Sequence, residues 1–342
     1  ILAWILHEAG FDPSFMIGGI LKNFDSNYRL GNGPYFVVEG DEYDTAFFDK
    51  GPKFLHFHPQ MAVLTSVEFD HADIFHDLDH VKRTFKGFIS GLSGSSLLLA
   101  YDGDKNVAGL IDNTHCRIEN YGKNTSSTWR LGAISVESPW TTFEIIKNNE
   151  AFAGFKTRLF GEHNLFNALA VIAIADQLKI PLQIIAGALE TFEGIKRRQE
   201  IRGEKRQITV IDDFAHHPTA VRETVRAVKS VHSIGRLIAV FEPRTNTSMR
   251  SIFQNEYPQS FEMADLVCIR QPPLLKKIPP GQRFSSRQLV NDLKIRGKDA
   301  HYFPDTDAII AFLSTTAKPQ DLIIIMSNGG FDNIHQRLLE SL

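Results

Sequence analysis

Between residues 208 and 326 the chain alternates short apolar, β-branched runs with helical patterns. This alternation constrains the fold more than any other feature of its 342 residues. The runs at 208–212, 237–241, 265–269 and 322–326 are apolar but for Thr209, Asp212 and Asp265, so both of their faces must be covered. Helical periodicity over 218–232, 286–295 and 305–317 supplies that cover. Strand and helix in repetition predict an α/β fold with a parallel, doubly wound, Rossmann-like sheet. In such sheets the loops at the carboxyl ends of the strands hold ligands.

The first half reads differently. Runs at 35–39, 61–67 and 96–101 are flanked by helical patterns and predict a second sheet with helices on its faces. From 131 to 161 apolar and polar residues alternate, as in Thr141-Thr142-Phe143-Glu144-Ile145-Ile146, which predicts an antiparallel extension. A helix follows over 163–178, and Pro181 opens another toward Thr191. The chain is too long for one core. The boundary is placed at 193–198, giving domains 1–194 and 195–342. The chain opens without methionine in the helical pattern 1–8, which Gly10 ends, so further sequence is expected ahead of Ile1.

Composition excludes some functions. A net charge of -3 gives no electrostatic footprint for nucleic acid or an anionic membrane. No apolar run approaches the roughly 18 residues a spanning helix needs. Cys116 and Cys268 lie far apart without metal-type spacing, which suits a reducing cytoplasm.

Titratable and amide residues gather where apolar runs end. Val38-Glu39-Gly40-Asp41-Glu42-Tyr43-Asp44 places carboxylates at a sheet edge, where they hold Mg²⁺ or form a solvated loop. Glu68-Phe69-Asp70-His71-Ala72-Asp73 repeats the arrangement with an imidazole, as a cation site or as helix-capping acids. His76, Asp77, Asp79 and His80 read as a solvated helix face. Asn164 and Asn167 stand three apart on one helix face; they offer the donor and acceptor an adenine edge requires, or they cap the helix. In Lys196-Arg197-Arg198 an arginine can reach a γ-phosphate, or the run is an exposed linker. Asp212-Asp213-Phe214-Ala215-His216-His217-Pro218 crowds two acids and two histidines after a strand, which plain structure rarely does. The loops Glu242-Pro243-Arg244-Thr245-Asn246-Thr247 and Ser327-Asn328-Gly329-Gly330 follow strong apolar runs on the same edge. Arg244 can clamp a carboxylate in bidentate fashion or form a surface salt bridge.

Taken in order, E-G-D-E-Y-D, E-F-D-H-A-D, G-E-H-N-L-F-N-A, R-R-Q-E, D-D-F-A-H-H-P-T and M-S-N-G-G-F resemble the Mur ligases along almost the whole chain. The segments V-E-G-D-E-Y-D-T-A-F-F-D-K, E-P-R-T-N-T and S-N-G-G-F look most like the murein peptide ligases of that family. The resemblance implies a cytoplasmic, ATP-dependent amide ligase of peptidoglycan recycling. It would join the tripeptide L-alanyl-γ-D-glutamyl-meso-diaminopimelate to UDP-N-acetylmuramate through an acyl phosphate. By position, Glu39 and His71 look like the magnesium ligands. His163, Asn164 and Asn167 look like adenine-side contacts, and Arg198 like the γ-phosphate contact. Asp213 and His216 look like groups that close over nucleotide and substrate. Arg244, Asn246, Ser327 and Asn328 are expected to grip the peptide.

Two departures stand out. No Gly-Lys-Thr phosphate loop occurs in the sequence, so the family's pattern places one just ahead of Ile1, and residues 1–342 alone are expected to be inactive. Several family members carry a carbamylated lysine after the His-containing turn, and Lys82 and Lys86 lie in that vicinity. The rival readings are the L-alanine-adding ligase, a folylpolyglutamate synthetase relative, and a chain that binds ligands without turnover. A monomer or weak homodimer is expected.

Overall fold

Strand pairing follows the apolar runs, with instructive exceptions. A computed structural model describes residues 1–232 and 234–342 and divides the chain into two units, Ile1–Gly194 and Ile195–Leu342. The first unit opens with α1 (Leu2–Glu8) and a small sheet of β1 (Ser14–Leu21), β2 (Ser26–Arg29) and β3 (Phe36–Val38), in the order β2-β1-β3. A hairpin of β4 (Asp44–Ala46) and β5 (Asp49–Pro52) follows. Then come β6 (Met61–Leu64), α2 (Leu78–Ser90), β7 (Leu97–Tyr101), α3 (Lys105–Ile111), β8 (Arg117–Gly122), β9 (Trp129–Glu137), β10 (Trp140–Lys147) and β11 (Glu150–Thr157). These strands form one sheet, β11-β10-β9-β8-β7-β6, parallel from β6 to β9 and antiparallel from β9 to β11. The helices α4 (Glu162–Gln177) and α5 (Leu182–Thr191) complete the unit.

The burial explains the layers. Along β10 the alternation points Thr141, Phe143 and Ile145 inward, as a one-sided strand requires. Helix α4 is apolar almost all round, and nine of its residues are buried, so neighbours must enclose it. Its Ala168, Leu169, Ile172 and Ala173 meet Trp129, Phe143 and Phe155 in one core. Cutting Leu169 back to alanine there costs about 2–5 kcal/mol. On the other face of the parallel strands, Val81, Ile89, Val107 and Leu110 of α2 and α3 pack on Leu64, Leu98 and Ala100.

Three expectations are corrected here. Residues 35–39 do not join the run 61–67 in one sheet: β3 pairs instead with β1, whose Gly18-Gly19 interrupts the apolar pattern and hid the strand. Strand β6 stops at Leu64, and three residues on, side chains take both backbone groups of Val67 (below). In the second unit, β12 and β16 escaped the apolar-run reading because E-I-R-G-E-K and D-A-H-Y-F carry charge and are edge strands.

That second unit contains β12 (Glu200–Lys205), β13 (Ile208–Asp213), α6 (Pro218–Val231), β14 (Leu237–Phe241), α7 (Tyr257–Ser260) and β15 (Leu266–Arg270). It continues with α8 (Ser286–Ile295), β16 (Asp299–Phe303), α9 (Thr306–Thr316), β17 (Leu322–Met326) and α10 (Ile334–Ser341). The sheet order is β12-β13-β17-β14-β15-β16, all parallel except β12. Every residue of β14, β15 and β17 is buried, as their apolar runs predict for all but Arg270, the charged last residue of β15. The register sets Asp213 and Phe241 beside Met326, and Phe241 beside Ile269. Asp213, Glu242, Arg270 and Ser327 therefore emerge together at one carboxyl edge.

Candidate active site

In the first unit two acidic turns leave the sheets. Glu39 is exposed and its Oε2 accepts the Gly18 amide at 2.6 Å, next to β1. His71 faces another acid: its Nε2 lies 3.8 Å from Glu42 Oε2, and the Tyr43 ring meets the imidazole edge-on at 4.6 Å. Burial pushes the Glu42 carboxyl up, and the charges of Asp41 and Asp70 add to the rise while His71 opposes it. The His71 backbone has φ +52°, a left-handed conformation uncommon for a side chain of this size. Asp70 Oδ1 accepts the His71 amide at 2.7 Å.

A clamp fixes the approach to this turn. Asp104 Oδ2 accepts the Val67 amide at 2.7 Å, and Asn106 Nδ2 donates to the Val67 carbonyl at 2.7 Å. Together they take both backbone groups of Val67, as a ladder partner would. Asp104 also caps α3 through the Asn106 amide. The sequence reading overlooked both residues; a D-G-D-K-N loop after the apolar run of β7 was the available signal.

The oxygen-rich donors here suit a hard divalent cation, which takes one or two carboxylates and fills its remaining positions with water and phosphate. No group of three or more His, Cys, Asp or Glu gathers in metal-holding geometry among the described residues. Lys86 donates to the carbonyls of Leu110 and Asp112 at 2.9 and 2.8 Å, so its ammonium tethers the end of α3.

Helix α4 carries the amide pair. Gly161 precedes it with φ +91°, a conformation that favours glycine. Asn164 Nδ2 donates to the Phe160 carbonyl at 2.9 Å, while Asn167 is exposed. His163 is half-buried beside them.

The second unit's edge is far more densely tied. Asp213 is 2% exposed; its carboxylate accepts the Gln199 and Ala215 amides at 2.8 Å each. Burial pushes its carboxyl up, opposed by the Arg198 charge and these amides. Neighbouring Asp212 shifts the opposite way. Burial pushes it up too, but His335, Arg197 and Arg202 outweigh it and bring it below the usual range. His335 Nε2 lies 3.3 Å from Asp212 Oδ1, close enough for charge but poorly aligned for a full hydrogen bond. His216 points Nδ1 at the Phe214 carbonyl at 3.0 Å, which fixes the ring's orientation.

The two linker arginines divide their duties in a way spacing alone could not show. Arg198, expected at a γ-phosphate, lies with its guanidinium 5.1 Å from the Phe214 ring. Arg197 has φ +61° and ties the linker to the 327–329 loop, donating to the Ser327 and Gly329 carbonyls at 2.5 and 2.7 Å.

Beneath that loop lies Glu242, fully buried. Its Oε2 pairs with Arg270, itself only 8% exposed, whose other nitrogen reaches Asp332 at 2.6 Å. Its Oε1 accepts the Ser327 hydroxyl at 2.7 Å and lies 3.6 Å from Arg244 Nη1. Ser327, expected to grip peptide, is 2% exposed, and Gly329 also donates its amide to the Ser327 hydroxyl. An internal carboxylate and an internal amide thus engage its hydroxyl. Arg244 keeps 32% of its side chain exposed, and Asn246 is exposed. Asn328 Oδ1 is buried without a hydrogen-bond partner among the described residues. Sequence reasoning missed Glu242 as a buried anchor, and Arg270 and Asp332 altogether. Two adjacent apolar runs ending in opposite charges were the signal.

The chain is similar to known proteins. Residues 27–175 match the Mur ligase middle domain, and residues 197–329 match the Mur ligase glutamate ligase domain. The chain is 36% identical over 340 residues to the UDP-N-acetylmuramate–L-alanyl-γ-D-glutamyl-meso-2,6-diaminoheptandioate ligase of Escherichia coli, covering 99% of this chain and 72% of that one. It is 33% identical over 342 residues to the UDP-N-acetylmuramate–L-alanine ligase of Acetivibrio thermocellus, covering 99% and 71%. The crystal structure of a murein peptide ligase from Psychrobacter arcticus superposes with a TM-score of 0.70 at 33% identity, over 99% of this chain and 73% of that one. The chain therefore belongs to the Mur ligases, a family of ATP-dependent ligases.

Proposed function

We propose that the chain serves the ligation of L-alanyl-γ-D-glutamyl-meso-diaminopimelate to UDP-N-acetylmuramate, with ATP as the energy source. A carboxylate has no leaving group, so it needs activation before an amine can displace anything from it. In this reading the sugar's lactyl carboxylate attacks the γ-phosphorus of ATP, ADP leaves, and an acyl phosphate forms. The peptide's α-amine then attacks the acyl carbon, inorganic phosphate departs, and the nitrogen gives up a proton. Positioning and charge neutralisation carry such a sequence.

Each unit has its part. In the first, Glu39 and His71 are the residues assigned to Mg²⁺, with Glu42 beside His71. Mg²⁺ when bound offsets phosphate charge, which lets one anion approach another. His163, Asn164 and Asn167 are assigned to the adenine. In the second, Arg198 is assigned to the γ-phosphate, where a guanidinium spreads over transferring oxygens. Asp213 holds the linker through the Gln199 amide, and His216 is assigned to the substrate side.

The choice of tripeptide rests on one observation: Arg244 stands partly exposed over the buried acid Glu242. A guanidinium meets a carboxylate, and the distal end of diaminopimelate carries one that L-alanine lacks. The likeness to the E. coli tripeptide ligase supports it. The likeness to the A. thermocellus enzyme keeps L-alanine as the second reading. Calorimetric titration of the chain with tripeptide and with L-alanine tests the choice. Tighter binding of tripeptide is expected, and equal or tighter binding of L-alanine overturns it.

A further inference from the structure

Glu242 has no solvent contact, yet it sits at the edge where ligands of such sheets bind. A buried carboxylate costs several kcal/mol in desolvation unless paired, and Arg270 supplies the pair on Oε2. Arg270 is itself locked, because Asp332 holds its other nitrogen and accepts the Thr306 hydroxyl at 2.8 Å. Glu242 therefore needs nothing more for its own neutrality. Its second oxygen nonetheless faces Ser327 and Arg244.

The contact with Arg244 is of a particular kind. At 3.6 Å it is too long for a hydrogen bond but close enough to orient a charge. The Arg244 side chain crosses Gly329 so closely that a Cβ there would stand 2.2 Å from Arg244 Cδ. A side chain at that position would push the arginine's stem out of its present place. Charge on one side and backbone beneath remove rotamers that a long side chain otherwise samples.

We propose that Glu242 is a positioning residue, holding the Arg244 guanidinium over Gly329 so that its exposed part meets a carboxylate of the incoming peptide. The identity of that carboxylate rests on the proposed function, whereas the positioning itself does not. The role predicts that ordering of Arg244 precedes ligand and depends on the Glu242 charge. A purely structural Glu242 would leave Arg244 as mobile as other exposed arginines.

Nitrogen-15 relaxation of the arginine side chains in the 342-residue chain tests this. The Arg244 Nε–H signal is identified by its loss in R244K, and Arg236, held by Asp321 at 2.6 and 3.0 Å, serves as the folded reference. In the wild type the Arg244 signal should be restrained on the fast timescale like that of Arg236. In E242Q it should become mobile while Arg236 stays restrained, and tripeptide affinity should fall about tenfold, the loss of roughly one charge-assisted contact. Should E242Q unfold, Arg236 will loosen with it, and the wild-type signal alone decides. A mobile Arg244 in the wild type, or an equally restrained one in folded E242Q, overturns the role. Restraint that E242Q abolishes, in a chain that binds no tripeptide, upholds the positioning and removes the peptide reading.

Discussion

The two units present acids at strand ends in contrasting ways. In the first, Glu39 is exposed and bonds a neighbouring amide, and the His71 turn is only half-buried. In the second, Asp213 and Glu242 are buried, and Asp213 is held by amides and Glu242 by an arginine. The difference is one of readiness. Exposed carboxylates near one another cost little in solvent and gain a fixed arrangement when a cation arrives. Buried ones must be satisfied at all times, so their surroundings are rigid before ligand binds.

Breaking the buried pair should show the contrast most strongly. Arg270→Met leaves Glu242 uncompensated and should destabilise the second unit by about 3–5 kcal/mol. Trp4, Trp129 and Trp140 all lie in the first unit. Their fluorescence transition in urea should stay in place while the far-ultraviolet circular dichroism transition moves to lower denaturant. Coincident shifts in both would show that the units do not differ in this way.

Acid sharpens the comparison. Asp212 lies below the usual carboxylate range, so its stabilisation is complete above about pH 3.9 and is lost as pH falls toward its folded value. Asp213, shifted upward, has the opposite sign: its contribution is fullest below about pH 3.9 and declines as pH rises through its folded value. Asp212→Asn should therefore be less stable than wild type near neutrality, with the gap closing in acid. Denaturant unfolding followed by circular dichroism across that range measures the gap, and a constant gap contradicts the sign.

The smallest effect belongs to the first unit's surface. Asp77 caps α2 by accepting the His80 amide at 2.7 Å. Removing it as Asp77→Ala should cost about 1 kcal/mol, read as faster amide exchange in the first turn of α2. A loss several times larger would mean that the exposed turns of this unit are as tightly coupled as the buried edge.

Much of this architecture is legible in the residues. The unbroken runs of β14 and β17 were read at their observed limits because nothing but burial on both faces explains them. Charged edge strands and a glycine-interrupted strand escaped, since their pairing is set by neighbours and not by their own apolarity. At the site, Arg244 was read from its place after β14 as a carboxylate clamp or a surface salt bridge. Ser327 was read as a peptide contact, and its hydroxyl is buried against Glu242; spacing assigns a residue to an edge, not to a depth within it. A backbone turn at Arg197 decides which arginine ties the linker down, and one residue's φ is invisible to pattern.

The most direct measurement is calorimetric titration of wild-type and Arg244→Ala chains with the tripeptide and with its form amidated at the distal carboxylate. The wild type should prefer the free carboxylate by about tenfold, one charge-assisted contact, and Arg244→Ala should bind both forms alike at unchanged thermal stability. Wild-type binding that ignores amidation, or a preference that survives in Arg244→Ala, would contradict the account.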